Sequence, residues 1–500
     1  MTPHLSRRAF LGLAAAGWAA CGRSAPDPKQ RPNVLFVAVD DLRPDLGCYG
    51  HPVVKTPHID RLASQGLLFR RAYCQQAVCC PSRTSVITGL RPDSTGVHNN
   101  AVFYRAVAPD VVTLPQHFMA HGYFAQSLGK IIHGKMDDPA SWSVPAWPEG
   151  GVHAGMQYID LEGLEALRAA HPDTPLEELE IPVSTWKKKS SWQAPDVPDS
   201  ALQDGETADR AIAALEGFGD RPFFLAVGFQ KPHLPFTAPK RYWDLYSPDE
   251  VTAAANPQRP EGAPELAFTD WAELRGYKDI PREGPLPPGK ERELRHGYLA
   301  ATSYTDAQIG RVLAAVDRLG LADNTVVVLW GDHGYHLGEQ DQWAKDTNFE
   351  LDARVPLILR TPGGVRGAQT DALVELVDLY PTLSEACGLP LRPENESCSF
   401  LPLATDPSRE WKSAAFSQFP RPWSNATVWE QMGYSLRTDR YRYTEWVDRQ
   451  RKVVARELYD HRQDPAETLN IAERPDAAEA VAACSKQLAA GWRAALPESA

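Results

Sequence analysis

Two pairs of neighbouring residues in this 500-residue chain bring metal-binding side chains to the ends of apolar runs. Asp40 and Asp41 come directly after one such run, and Asp332 and His333 follow shortly after another. Carboxylate oxygens are the ligands that Ca²⁺ prefers, so the three aspartates, with the neighbouring histidine, predict a divalent cation site. Taken alone, the pair Asp40 and Asp41 is more often a helix cap or a solvated turn.

The elements that position these residues are buried strands. The runs 34–39 and 325–330 are apolar and rich in β-branched residues, which is typical of central strands covered on both faces. The runs 223–229 and 355–359 are two further candidates. Open α/β sheets bind ligands at the carboxyl ends of their strands, so we expect both acidic pairs to converge on one site. Helical patterns, clearest over 294–319, alternate with the strands and predict a large, mostly parallel sheet sandwiched by helices.

The C-terminal part of the chain has a different pattern. The stretch 389–408 is rich in proline and polar residues, and we interpret it as a linker. Beyond it, 434–437 and 441–447 alternate like antiparallel strands, and 477–495 has the pattern of a closing helix. We therefore predict a catalytic domain over 31–405 and a smaller α+β domain with an antiparallel sheet over 406–500.

Composition and charge exclude some functions. The hydrophobic content of 43% and charged content of 23% are ordinary for a globular protein. The net charge of −12 argues against broad electrostatic binding to nucleic acid or to an acidic membrane surface, so we expect no nucleic-acid partner. An anionic substrate must therefore be bound by a local basic pocket.

The first 30 residues have the features of an export signal. The sequence Ser6-Arg7-Arg8-Ala9-Phe10-Leu11 and the short apolar run after it resemble a twin-arginine signal. The apolar run ends at Ala20 and is too short to span a bilayer. Trp18-Ala19-Ala20-Cys21 resembles a lipoprotein cleavage box, but Trp18 departs from the usual aliphatic residue, which leaves lipidation of Cys21 open. We expect the protein to be periplasmic or anchored by lipid to the cell envelope.

A short motif singles out Cys79. It reads Cys79-Cys80-Pro81-Ser82-Arg83, with Thr88-Gly89 shortly after. This motif resembles the formylglycine-dependent sulfatase family, in which the first cysteine is converted into formylglycine. The alternative is a buried pair of thiols before a helix. The resemblance implies an alkaline-phosphatase-like α/β fold, sulfate-ester hydrolysis, one Ca²⁺ per chain and a maturation enzyme that generates formylglycine.

The resemblance also assigns roles to individual residues. The hydrate of formylglycine at Cys79 attacks sulfur, and Arg83 stabilises that hydrate. His233 protonates the departing sugar oxygen, with help from Lys345. His333 either binds the metal or orients a carboxylate or the sulfate. The implied sulfate-binding residues are Lys130, His133, His233 and Lys345, and the implied metal shell is Asp40, Asp41, Cys79, Asp332 and His333.

Further sequence blocks resemble the iduronate-2-sulfatases within this family, in the same order along the chain. They include 75–78, 91–93, 230–236, 331–334, 337–339, 343–345, 416–422 and 432–438. The stretch 138–199 matches least. The resemblance implies a sulfated carbohydrate substrate such as a 2-O-sulfated iduronate or glucuronate. Two alternatives are a phosphate or phosphonate monoester hydrolase of the same superfamily and an inactive glycan-binding lipoprotein in which Cys79 stays a thiol.

The remaining cysteines do not form a disulfide framework, because eight cysteines are few for this length. Cys387 and Cys398 lie close enough in sequence for a small-loop disulfide in an oxidising compartment, and the sequence leaves that bond open. We expect the others outside the signal and the motif position to be buried thiols: Cys48, Cys74, Cys80 and Cys484.

Overall fold

The computed structural model describes residues 31–134, 136, 138–148, 158–184, 189–423 and 429–498. The longer strands form two sheets. They are β1 Asn33–Val39, β2 Leu67–Tyr73, β3 Phe124–Gly129, β4 Phe223–Phe229, β5 Thr325–Gly331, β6 Arg354–Arg360, β7 Ala368–Glu375, β8 Ala415–Arg421, β9 Gln431–Arg437, β10 Tyr441–Asp448 and β11 Val453–Asp460. Two-residue strands lie at Tyr158–Ile159, Val183–Ser184, Trp192–Gln193, Phe236–Thr237, His336–Leu337 and Trp343–Ala344.

The helices differ widely in length. The longer ones are α1 Pro57–Ser64, α2 Cys79–Thr88, α3 Leu114–Ala120, α4 Leu161–Ala170, α5 Gln203–Gly217, α6 Lys290–Arg318, α7 Leu379–Ala386 and α8 Ala478–Ala490. Helices of four residues lie at Pro92–Thr95, Tyr104–Val107, Lys240–Trp243, Ala272–Arg275 and Glu350–Ala353. None of the helices in the described ranges has the length and hydropathy needed to cross a membrane.

The large sheet has seven strands in the order β7-β2-β6-β5-β1-β4-β3. Strands β5, β1, β4 and β3 pair in parallel, so their carboxyl ends meet at one edge. Strand β6 runs antiparallel to both β5 and β2, which makes the sheet mixed. The chain enters β6 at the same edge where it left β5, and a parallel return would need a crossover to the opposite edge. The loop 332–353 therefore stays beside the carboxyl ends.

Both faces of the central strands are covered. In β1, Val34, Phe36 and Ala38 belong to one apolar cluster, whereas Leu35, Val37 and Val39 belong to the other. This alternation follows from the two-residue period of side chains along a strand. Helices α5 and α6 contribute to the second cluster, for example through Ala211 and Val316. The prediction of a sheet sandwiched by helices is confirmed.

The C-terminal sheet is an antiparallel meander in the order β8-β9-β10-β11. A buried arginine, Arg442 on β10, joins it to the rest of the protein. It contacts the Glu350 carboxylate at 2.5 Å and the Glu467 carboxylate at 3.0 Å. It also donates a hydrogen bond to the Asn348 carbonyl oxygen. Since residues 348 and 350 belong to the loop between β5 and β6, this arginine connects the small sheet to the region beside the carboxyl ends.

We expect Arg442→Met to destabilise the protein by about 3–5 kcal/mol, because it leaves carboxylates buried without their main cation. Urea unfolding followed by far-ultraviolet circular dichroism measures the change. Arg440→Met is the matched control, because Arg440 pairs with Asp460 at the surface and should matter little. Equal shifts of the two unfolding midpoints would contradict a structural role for the buried network.

The predicted elements lie close to the observed ones. The runs 34–39, 223–229 and 325–330 fall in β1, β4 and β5, and the helix predicted over 294–319 is α6, which begins at Lys290. The stretch 389–408 is not a free linker, because Phe400 and Leu403 are buried in an apolar cluster of the large sheet. The boundary between domains at 405 and 406 stays a prediction, and the export signal lies outside the described residues.

The structure answers one question about the cysteines that the sequence left open and corrects one expectation. Cys387 and Cys398 are free thiols in the structure, and the Cys387 thiol contacts the Pro32 carbonyl oxygen instead. Cys48 is only half-buried, because it lies in the short turn Gly47–Tyr49 at the surface, whereas Cys74, Cys80 and Cys484 are buried as expected.

Candidate active site

The carboxyl ends of the four parallel strands bring the predicted site residues together. Asp40 and Asp41 follow β1, Lys130 follows β3, His233 lies four residues after β4, and Asp332 follows β5. Lys345 comes from the loop between β5 and β6, directly after the strand Trp343–Ala344. Sequence segments more than 200 residues apart thus meet at one edge of the sheet, as the strand pattern predicted.

Cys79 occupies the first turn of α2, at the helix N-terminus. Its side chain is almost fully buried, with 1% of its surface exposed. The Sγ atom lies 3.3 Å from His333 Nε2 and 3.7 Å from Lys130 Nζ. Burial raises the pKa of the Cys79 thiol well above its usual range, and the Asp40 carboxylate adds to the rise. An unmodified thiol here therefore stays protonated and is a poor nucleophile, whereas the helix N-terminus favours an anion nearby.

Arg83, one turn further along α2, fixes two of the acidic residues. Its Nη2 donates to Asp40 Oδ1 at 3.1 Å, and its Nε donates to Asp332 Oδ2 at 2.8 Å. The second oxygen of Asp40 pairs with the Lys130 ammonium. Burial alone would raise the pKa of Asp40, but Lys130, His233 and Arg83 hold it well below its usual range. Asp40 is therefore ionised and available as a ligand.

The donor set fits a divalent cation. Ligand atoms of Asp40, Asp41, Cys79 and His333 all lie within 4.8 Å of one another, and all four residues are buried. Burial raises the pKa of Asp41, and the neighbouring Asp40 charge adds to the rise. Two adjacent buried carboxylates repel each other unless a positive charge lies between them. A bound cation would supply that charge and would lower the pKa values of Asp40 and Asp41. Asp332 lies beside this group, where its Oδ1 accepts from the backbone nitrogens of Asp41 and His333.

The ring of His333 is oriented toward the metal-binding group. Its Nδ1 lies 2.9 Å from the Gly334 carbonyl oxygen, which can only accept a hydrogen bond. That contact places the proton on Nδ1 and leaves the Nε2 lone pair facing Asp41 Oδ1 at 3.3 Å. Of the two interpretations that the sequence left open for His333, this arrangement suits the metal ligand.

His233 and Lys345 lie on the other side of Asp41. Lys345 Nζ is 2.9 Å from both oxygens of Asp41, and His233 Nε2 is 3.9 Å from Asp41 Oδ2. Burial would lower the pKa of Lys345, but Asp41 and Glu273 raise it well above its usual range, so the ammonium stays charged. The backbone at residues 344 and 346 has positive φ values of 71° and 90°, which shape the short turn that presents this lysine.

His133 is neutral in this environment. Burial, followed by the positive charge of Lys130, lowers its pKa to about 3. Its Nδ1 has no hydrogen-bond partner among the residues that the structure describes. His133 is therefore a neutral hydrogen-bonding group, and not a cation.

Three functional contacts were not foreseen from the sequence. Glu273 contacts both His233 and Lys345, yet it lies on a four-residue helix without a sequence motif. Asp204 accepts hydrogen bonds at 2.8 Å from the backbone nitrogens of Gln230 and Lys231, which positions the loop of His233. Ser82, inside the cysteine motif, donates to the Asp332 carbonyl oxygen at 2.5 Å. Of the three, only Ser82 carried a sequence signal.

Comparisons with protein families and sequences agree with this geometry. The family model described as Sulfatase matches residues 32–389, and the model described as N-sulphoglucosamine sulphohydrolase, C-terminal, matches residues 338–493. The iduronate 2-sulfatase of Homo sapiens is 37% identical over 485 residues, which cover 83% of this chain and 85% of that protein. A sulfatase of Formosa agariphila is 29% identical over 462 residues, which cover 88% of this chain and 83% of that protein.

Solved structures share the fold over nearly the whole chain. The phosphonate monoester hydrolase of Agrobacterium radiobacter superposes with a TM-score of 0.71 at 25% identity and covers 93% of this chain and 96% of its own. A protein solved with its substrate, D-glucosamine-2-N,6-O-disulfate, superposes with a TM-score of 0.69 at 21% identity and covers 92% of this chain and 97% of its own. The predicted alkaline-phosphatase-like fold is confirmed.

Proposed function

This chain belongs to the sulfatase family and is a sulfuric ester hydrolase, and from that premise we propose that it cleaves the sulfate ester of a sulfated uronic acid, such as a 2-O-sulfated iduronate or glucuronate. The observation that supports the proposal is the burial of Cys79, at the N-terminus of α2, beside both the metal-binding group and Lys130. A cysteine in that position has the partners that a formylglycine needs: cations for the sulfate and ligands for a metal.

The catalyst in this proposal is formylglycine, made from Cys79 by a formylglycine-generating maturation enzyme. Its hydrate would supply one hydroxyl as the nucleophile toward sulfur, and loss of the proton from the second hydroxyl would expel sulfate and restore the aldehyde. A serine could attack but has no second hydroxyl with which to release the sulfate. Arg83 lies one turn along α2 from Cys79 and stabilises the hydrate.

The metal in this proposal is Ca²⁺, bound by Asp40, Asp41, Asp332 and His333 together with the modified residue 79. When bound, it polarises the sulfate group and favours the ionised form of the nucleophile. Lys130 pairs with Asp40 and Lys345 pairs with Asp41, and in this proposal the two ammonium groups bind the sulfate oxygens. His133 donates or accepts a hydrogen bond beside them.

The bond between sulfur and the sugar oxygen breaks when the attacking oxygen bonds to sulfur. The departing alkoxide must gain a proton, and His233 is the group we assign to supply it, with Lys345 beside it. Both side chains are buried and lie within 4 Å of Asp41, which supports this role. The leaving sugar alcohol then carries that proton away.

The phosphate or phosphonate monoester hydrolase of the same superfamily ranks second. The matched family model and the relatives named iduronate 2-sulfatase support sulfate esters, and these relatives are more similar in sequence than the phosphonate monoester hydrolase.

A substrate panel tests the proposed activity. We expect a 2-O-sulfated uronic acid disaccharide to be hydrolysed with a kcat/KM at least about 100-fold above that of a phosphate or phosphonate monoester, a difference of about 2.7 kcal/mol. Released sulfate and phosphate are measured by ion chromatography. Faster phosphonate hydrolysis would assign the protein to the second candidate, and an inert protein from the native host whose Cys79 is still a thiol would favour a glycan-binding role.

The proposal extends to the cellular location. The twin-arginine pattern at Arg7 and Arg8 suits an enzyme that is modified in the cytoplasm and exported in the folded state. Export would place the enzyme in the periplasm or, with a lipid on Cys21, on the cell envelope, where sulfated polysaccharide fragments are accessible.

A further inference from the structure

The carboxylate of Glu273 bridges the two side chains that face the departing oxygen. Its Oε1 lies 3.0 Å from His233 Nε2, and its Oε2 lies 2.9 Å from Lys345 Nζ. The side chain of Glu273 keeps 22% of its surface exposed, against 6% for His233 and 4% for Lys345. It therefore lies at the outer side of the two donors.

The helix that carries Glu273, Ala272–Arg275, is held in place from both ends. Trp271 has a positive φ of 57° and donates from its indole nitrogen to the Asp341 carbonyl oxygen at 2.9 Å. The Arg275 guanidinium covers the Trp271 ring and donates to three backbone carbonyl oxygens, those of Asp270, Pro281 and Gly284. A positive φ in a bulky residue is uncommon and persists only where the surroundings enforce it.

The same helix packs against the loop that carries His233 and the loop that carries Lys345. Trp271 and Leu274 share an apolar cluster with Leu234, next to His233, and with Trp343 and Ala344, which directly precede Lys345. One hydrophobic cluster thus supports the segments that carry Glu273, His233 and Lys345. The spacing of Glu273, His233 and Lys345 is set by packing, and not by a flexible surface contact.

The hydrogen bonds of His233 show why its contact with Glu273 is important for the position of its Nε2. Its Nδ1 lies 2.5 Å from the Leu234 carbonyl oxygen, so only Nε2 faces the site. Lys345 also contacts Asp41, but in the proposed holoenzyme Asp41 is engaged with the metal. Glu273 is then the carboxylate that contacts both donors. Its two oxygens contact Nε2 of His233 and the ammonium of Lys345, which fixes the positions of the two donors relative to each other.

We propose that Glu273 is a positioning residue that holds the Nε2 of His233 and the ammonium of Lys345 together where the sugar oxygen departs. This inference rests on the proposed sulfatase function. It assigns Glu273 no contact with the reacting atoms: the proton moves from a donor to the sugar oxygen, and the carboxylate keeps the donors in place.

The test compares Glu273→Gln with the wild-type holoenzyme on two sulfate esters. A sugar oxygen needs a proton to leave, whereas the nitrophenolate of p-nitrophenyl sulfate departs without one. We expect kcat for a 2-O-sulfated uronic acid disaccharide to fall about 10–100-fold, and the loss on p-nitrophenyl sulfate to be about tenfold smaller. KM should change by less than about threefold. Glu273→Asp keeps the charge and should recover part of the loss.

Glu265→Gln is the matched control, because Glu265 precedes the same helix but its exposed carboxylate pairs only with Arg259 among the described residues. Equal losses on both esters, or no loss with Glu273→Gln, would overturn the positioning role. Loss of bound calcium, measured by elemental analysis, would instead make Glu273 a metal ligand and also overturn it. A wild-type enzyme inert on both esters would refute the proposed function itself.

Discussion

Cys79→Ala will abolish sulfate-ester hydrolysis, with kcat reduced by about 10⁴-fold or more. The substitution removes the thiol from which the proposed formylglycine is made, and the neighbouring thiol does not take its place. Cys80, its neighbour, points elsewhere: its thiol contacts the Val102 carbonyl oxygen and the Met136 sulfur. Turnover of a 2-O-sulfated uronic acid disaccharide under saturating conditions measures the effect.

The fold should survive this change, because alanine fits the space of cysteine at the start of α2 and keeps the helix geometry. Cys80→Ala serves as the control, since it removes an equally buried thiol from the next position and should keep most of the activity. A Cys79→Ala protein with a kcat within tenfold of the wild type would contradict the assigned catalyst.

Asp41→Asn should cause the second largest loss. It removes one negative ligand from the metal-binding group and breaks the ion pair with Lys345. The backbone at Asp41 has a φ of 56°, a conformation that asparagine tolerates better than most residues, so the local structure should persist. We expect bound Ca²⁺ to be lost and kcat/KM to fall about 10³-fold, which corresponds to about 4 kcal/mol.

Asp341→Asn is the control for this substitution. Asp341 has the same φ of 56°, but its side chain is exposed and pairs with Arg259. Metal content by elemental analysis and turnover should both stay close to those of the wild type. If Asp41→Asn retained stoichiometric calcium and normal turnover, the metal site would have to be assigned to other residues.

The central strands were predictable because they are buried on both faces. Such strands are continuous apolar runs, and the runs at β1, β4 and β5 each have a proline or an acidic residue next to at least one end. Strands β2, β3 and β7 of the large sheet were not predicted. Strand β2 has exposed Arg70 and half-buried Arg71, and β7 alternates polar and apolar residues at the edge of the sheet. Local composition there resembles a loop, and only pairing with neighbours makes the strand.

The site was predictable where its residues follow strands or belong to motifs. Asp40, Lys130, His233 and Asp332 all follow carboxyl ends of adjacent strands, so sheet topology brings them together. Glu273 was missed for the opposite reason. It lies on a four-residue helix whose position depends on tertiary packing against residues near 234 and 343. No local pattern distinguishes it from the other acidic residues of its segment.

The measurement that tests the central claim most directly is mass spectrometry of the peptide that contains Cys79, taken from protein purified from its native host. The account predicts an aldehyde in place of the thiol at residue 79, with Cys80 unmodified as the internal reference. An unmodified Cys79 thiol in natively expressed protein would contradict the formylglycine mechanism and move a glycan-binding role ahead of catalysis.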